Sequence, residues 1–281
     1  MGRPRARQGP APRIAFDALR ALSADEWAVL LAGAPETAAP WIASAARYGL
    51  VEAQLLLGQV LLDGRGVRHD PAAAVRWFAA AAGAGCVAAM NMLGRCHEMG
   101  WGVRQDDVAA ADWYSRAASH GLDWAQYNLA NLMLRGRGLA RNRTKALSLY
   151  RLAAGQGHAK SMNMIGRYFE EGWEVARDAG AALGWYRCAA IAGDFRAQYN
   201  LGCMLAQVGR FAEAGVWLTA AASSGTADLL RVACAELLPR REPALRAAGE
   251  IAAARLARDA GIHPGPTRGG VKRRATAPAS S

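Results

Sequence analysis

Apolar residues along this chain recur at helical spacing rather than in strand alternation. Starting from Val51, the positions Ala53, Leu57, Val60 and Leu61 form one stripe on a helix. The stripe stops at Gly64-Arg65-Gly66-Val67, where paired glycines supply backbone conformations that side-chain-bearing residues adopt at a cost. Asp70 then stands where a helix N-cap is expected, with Pro71 at the first helical position. A second stripe through Val75, Phe78 and Ala82 ends at Gly85. The pattern predicts helix, loop, helix.

The same pattern returns every 36 residues. Gly58, Gly94, Gly166 and Gly202 share one lattice, with Ala130 at the remaining point, and Ala53, Ala89, Ala125, Ser161 and Ala197 share another. A fixed period of this size marks stacked repeats, not a globular enzyme built around one pocket. The units are 51–86, 87–122, 123–158, 159–194 and 195–226, the last with a loop four residues shorter, through Gly209-Arg210. In each unit the small residue of the first helix is expected to face Ala81 or its equivalent. The recurring Trp77, Trp113, Trp185 and Trp217 are expected in the core.

Trp41, Ala45, Ala46 and Gly49 repeat the end of a unit, so residues 14–50 are expected to be a degenerate N-terminal capping repeat, with Ser23 and Asp25 near a helix start. Ala227–Leu238 and Pro243–Ala260 form two further predicted helices, and residues 227–261 are expected to cap the other end. Residues 1–13 and 262–281 are expected to be disordered basic tails.

Charge placement alters the meaning of the composition. The net charge is +11, but each tail carries four basic residues and no acid, so residues 14–261 carry only +3. Contact of the tails with nucleic acid or an anionic membrane would be weak and salt-sensitive. Only three of the 34 basic residues are lysine, which with abundant Ala and Gly suggests a GC-rich bacterial source. Five cysteines at irregular spacing, with no CxxC, suit free thiols in a reducing compartment. No secretory signal and no membrane-length apolar run is evident, so a cytoplasmic location is expected, with specialised secretion left open.

The recurring A-x-x-x-L-G, G-x-G-V, capping Asp, W-Y/F and A-A-x-x-G resemble the Sel1-like repeat, a relative of the tetratricopeptide repeat, over about residues 51–225. Ala130, Leu149 and Glu174 depart from the motif. The resemblance implies an all-α fold, a right-handed superhelical solenoid of helix-turn-helix repeats serving as a protein-interaction scaffold or adaptor. It also implies a concave groove lined by the second, fifth, ninth, twelfth and thirteenth positions of each unit. These include Glu52, Leu55 and Gln59 in the first unit. The proposed partner-binding residues are Asn91, Arg95, Trp124, Tyr127, Asn131, Asn163, Arg167 and Tyr199. Asn91-Arg95 and Asn163-Arg167 recur 72 residues apart, so the array alternates two kinds of unit. Asparagine would pair with a peptide backbone, arginine with a carboxylate and the aromatics with apolar side chains. Against this, Arg95 with Glu98 and Arg167 with Glu170 are i,i+3 pairs that could neutralise each other.

No GxSxG, P-loop, dinucleotide fingerprint or HExxH is present, and the histidines lack metal-ligand spacing, so neither catalytic residues, a metal nor a cofactor is expected. His97 is expected in the core. Trp101 and Trp173 sit in loops and are expected to fold back over their own hairpins. Within the resembling family, a β-lactam or cell-wall hydrolase of the cysteine-rich type is the rival reading, and the regular cysteine pairs it needs are missing. A secreted effector adaptor is a third.

Overall fold

The computed structural model describes residues 14–260, apart from the side chain of Ala24; the predicted tails 1–13 and 262–281 lie outside the described residues. Among these residues every regular element is an α-helix. The chain divides into two compact units, one through Trp185 and one from Tyr186. In the first, α1 (Phe16–Ala21) and α2 (Ala24–Ala32) contact α3 (Pro35–Arg47). Hairpins follow: α4 (Val51–Asp63) with α5 (Pro71–Gly83), α6 (Val87–Met99) with α7 (Asp107–Ser119), and α8 (Asp123–Arg135) with α9 (Arg143–Gly155). Next come α10 (Ala159–Glu171), packed on α9, and α11 (Ala179–Ile191), in which the division between the units falls. Consecutive helices from α3 to α10 pack on one another. The second unit holds α12 (Phe195–Gln207), α13 (Phe211–Ser224), α14 (Ala227–Leu237) and α15 (Pro243–Asp259), with α15 against both α13 and α14. This is the all-α array of helix-turn-helix repeats that the 36-residue period implies.

Local chemistry sets the helix ends. Asp70, Asp106, Asn142 and Asp178 accept from the backbone N–H groups of Ala73, Ala109, Lys145 and Ala181 at 2.8–3.0 Å. Each such cap contributes about 1 kcal/mol. At the other end of the first helices, Gly64, Gly100, Gly136 and Gly172 take left-handed φ of 69–71°. Ser23 caps α2 with a full capping box, its hydroxyl accepting from Glu26 N–H while Glu26 accepts from Ser23 N–H at 2.7 Å.

The second loop glycine has a different task. A Cβ on Gly66, Gly102 or Gly138 would lie 2.3, 2.2 or 2.0 Å from the backbone at Pro35, Pro71 or Asp107, the start of the second helix of the preceding hairpin. The repeats therefore touch backbone to backbone at these points. At the next such position stands Glu174, the sole described non-glycine with positive φ, at 57°. Its carboxylate accepts from the Thr144 hydroxyl at 3.0 Å.

Two packing expectations are corrected. Gly58, Gly94 and Gly202 do not make room for alanine: a Cβ there would lie 2.4–2.6 Å from Phe78, Tyr114 and Leu218 respectively. The recurring tryptophans are not the deepest residues either. Trp77, Trp113, Trp185 and Trp217 are half-buried, while the residues that follow them, Phe78, Tyr114, Tyr186 and Leu218, are buried. Size is not the cause, since Leu149 at the same position is also half-buried beside a buried Tyr150; successive residues of a helix point in different directions, and the second of each pair faces the gap.

Candidate partner-binding groove

The first helices α4, α6 and α8 jointly line a cavity of about 380 Å³. Its apolar lining is Leu55, Leu56, Ala88, Met92 and Leu122, and Glu52, Gln59, Asn91 and Trp124 complete it. Six of these nine residues occupy groove positions in the sequence reading. Of the proposed binding residues, the structure brings Asn91 and Trp124 together here. Asn91 is buried and accepts from Asn128 Nδ2 at 3.0 Å, which ties α6 to α8 and fixes its orientation.

Trp124 and Tyr127 also belong to an aromatic chain. The exposed Trp124 meets His158 edge-on at 4.7 Å between centroids, and Tyr127 lies 4.9 Å from the same imidazole. The chain continues from Tyr127 to Tyr150 at 6.0 Å, to Tyr168 at 6.1 Å and to Trp173 at 5.5 Å. Lys160 places its ammonium 4.7 Å from the Trp124 ring. Asn131 accepts from the Tyr150 hydroxyl at 2.8 Å. Asn163 is buried on α10. Tyr199 belongs to the second unit, where it is buried and its hydroxyl donates to Glu236 at 2.7 Å. In that unit the groove positions Cys203, Ala206 and Gln207 line a separate cavity of about 380 Å³ with Leu237, Arg240 and Leu245.

Among the described ion pairs, none joins Arg95 to Glu98. Arg95 lies 5.2 Å over Trp101 and Arg167 lies 5.3 Å over Trp173, and both tryptophans fold back to receive them. Glu98 instead accepts from the Tyr114 hydroxyl at 2.8 Å and from Arg137 at 3.3 Å. Arg137 also donates to both carboxylate oxygens of Asp107, at 2.7 and 3.0 Å. This network joins α6, α7 and the turn after α8. Its sequence signal was available but weak: Arg137 lies 30 residues after Asp107, close to the spacing of 31 that brings Gly138 onto Asp107.

Burial raises the Tyr114 hydroxyl well above its ordinary value, and Glu98 adds to the shift. Burial likewise raises Tyr150 and Tyr199, and takes Tyr168 to about 12. The buried Cys96 thiol rises to about 11 for the same reason, so it is protonated at neutral pH. His97 is half-buried and not fully enclosed in the core. All five cysteines are free. Among the described residues, no three His, Cys, Asp or Glu side chains are grouped to hold a metal ion, and no helix is long and apolar enough to cross a membrane.

Known proteins share this architecture. The Sel1 repeat matches at residues 51–86, 87–122, 125–158, 159–194 and 195–225. A Sel1 repeat protein from Oxalobacter formigenes superposes with a TM-score of 0.73 at 25% identity, covering 84% of this chain and 99% of its own. A second similar structure is c5321, a protective antigen of uropathogenic Escherichia coli strains displaying an SLR fold. Its TM-score is 0.64 at 25% identity, over 85% of this chain but 53% of the antigen. The immunity protein Pa5087 from Pseudomonas aeruginosa shares the fold at a TM-score of 0.53 and 19% identity, over 75% of this chain and 81% of its own. No curated protein matches the chain. With its repeats matched over more than half its length, the chain belongs to the Sel1 repeat family.

Proposed function

We propose that this protein is an interaction scaffold or adaptor that holds a peptide or protein segment on the concave surface formed by first helices. Sel1 repeats commonly mediate protein–protein interaction. The observation that carries the assignment to this surface is the cavity shared by α4, α6 and α8, whose volume falls within the roughly 300–1,000 Å³ typical of ligand sites. Binding is favoured over catalysis because the polar groups nearby, Asn91, Asn131 and Glu98, already serve as acceptors within the fold. In this reading residues 14–50 and 227–261 cap the ends of the stack, as terminal repeats must present a face that water tolerates.

The test is affinity capture with the full chain, run beside a Trp124→Ala, Glu52→Lys double variant. Both side chains are exposed, so the fold should survive. Partners that use the groove are lost from the variant. A partner set unchanged by the substitutions moves the interaction to another surface.

A further inference from the structure

The groove is electrostatically divided, and we infer that its partner is an acidic peptide segment carrying one large apolar side chain. This rests on the concave-surface reading above and adds the chemistry of the ligand. Four cations project from α6, α8 and α10 at groove positions: Arg95, Arg135, Lys160 and Arg167. None of the six ion pairs among the described residues includes any of them. Arg95, Arg135 and Arg167 are exposed. Three of the four are held by aromatic rings rather than by acids: Arg95 on Trp101, Arg167 on Trp173 and Lys160 on Trp124. Stacking fixes a cation in place and leaves its charge available to a ligand.

The acids on these helices are differently placed. Glu98 is taken by Arg137 and the Tyr114 hydroxyl, and Glu170 also has a partner of its own. Asp123 accepts from the Trp124 N–H at 2.7 Å, and two exposed acids oppose the cations: Glu171 at the end of α10 and Glu52 of α4, which lines the cavity. The aromatic chain starts at Trp124, which lines the cavity, and reaches Tyr150 through Tyr127. An apolar side chain would enter among Leu55, Leu56, Met92 and Trp124, and carboxylates N- or C-terminal to it would lie over Arg95, Arg135 and Arg167. Charge steering would speed the encounter and make it depend on salt.

The experiment pans a random peptide library displayed on phage against the full chain and measures selected peptides by fluorescence anisotropy. Selected sequences should be enriched in Asp and Glu around one Leu, Met or Phe. Arg95→Gln with Arg167→Gln should weaken them about 10-fold or more, from two lost charge-assisted contacts, and Trp124→Ala should also weaken them. Circular dichroism checks that the exposed substitutions leave the helices intact. Selected peptides that lack acids yet are lost with Trp124→Ala would overturn this inference and leave the groove assignment standing. Peptides indifferent to all three substitutions, or no selected peptide at all, would overturn both. A polyglutamate peptide binding as tightly as the selected ones would show a general anion surface without the apolar anchor, against the proposal.

Discussion

Gly94 lies against the face of Tyr114 so closely that a Cβ on the glycine would stand 2.5 Å from the tyrosine Cδ1. The ring is buried and its hydroxyl is held by Glu98, so it has little freedom to move aside. Gly94→Ala is therefore expected to destabilise the fold by about 1–3 kcal/mol through overpacking. Gly83, the last residue of α5, has open space where its Cβ would lie, and Gly83→Ala should stabilise by about 0.4–1 kcal/mol through the unfolded chain. Urea denaturation of the two variants tests the contrast; equal midpoints would refute the packing account.

A second contrast concerns the loop position that touches the preceding hairpin. At Gly138 an added Cβ would meet the Asp107 carbonyl oxygen at 2.0 Å, with φ at 70°. Strain and collision combine, so Gly138→Ala should cost about 2–4 kcal/mol. At the equivalent point Glu174 already accommodates a side chain, and its bond to Thr144 is exposed. Glu174→Gly should change stability by less than about 1 kcal/mol, because relief of strain offsets the greater freedom of the unfolded chain. Thermal unfolding of both variants gives the comparison.

The unequal behaviour of these glycines shows what the sequence makes legible. The period located the hairpins over residues 51–225, because helix starts such as Asp70-Pro71 and helix stops such as Gly64 are local signals with local physical causes. The groove positions came from the family resemblance rather than from the period, and three of them, Leu55, Asn91 and Trp124, line one cavity. Partners across the stack were harder to see. Nothing in the spacing of Arg95 and Glu98 says that the arginine will stack on Trp101 while the glutamate turns to Arg137. That outcome depends on a ring and a charge supplied by other segments. The depth of Tyr114 relative to Trp113 was obscured for a similar reason, since both recur at the same period and only the three-dimensional gap between helices distinguishes them.

Glu98 and Arg137 should be energetically coupled. Their side chains are 14% and 31% exposed, and Glu98→Ala would leave the Tyr114 hydroxyl without its acceptor. The expected loss is about 1–3 kcal/mol. A double-mutant cycle with Arg137→Ala should yield a coupling of about 1 kcal/mol that persists in high salt. The exposed pair Asp228 and Arg231 gives the contrast, with a coupling below about 0.5 kcal/mol that salt removes. Equal couplings in the two cycles would mean that Glu98 is no more than a solvated surface charge.

The buried tyrosines predict sensitivity to alkali. In the unfolded chain tyrosine ionises near ~10. In the fold, burial holds Tyr168 protonated to about 12 and raises Tyr114, Tyr150 and Tyr199 as well. Because the folded pKa lies above the unfolded one, each group's contribution is complete below ~10 and is lost as pH rises through the folded value. Cys96, raised to about 11, adds the same loss from ~8.5, the ordinary thiol value. Stability should thus fall from about pH 8.5 and more steeply above pH 10, by at most about 1.4 kcal/mol per pH unit for each group. Tyr168→Phe sacrifices the bond from its hydroxyl to the Arg143 carbonyl, so it should be less stable at pH 8. It should also lose less than the parent between pH 10 and 12. Urea midpoints across that range, read beside tyrosinate absorbance, decide the matter: parallel curves for parent and variant would place the Tyr168 hydroxyl in solvent, contrary to the structure.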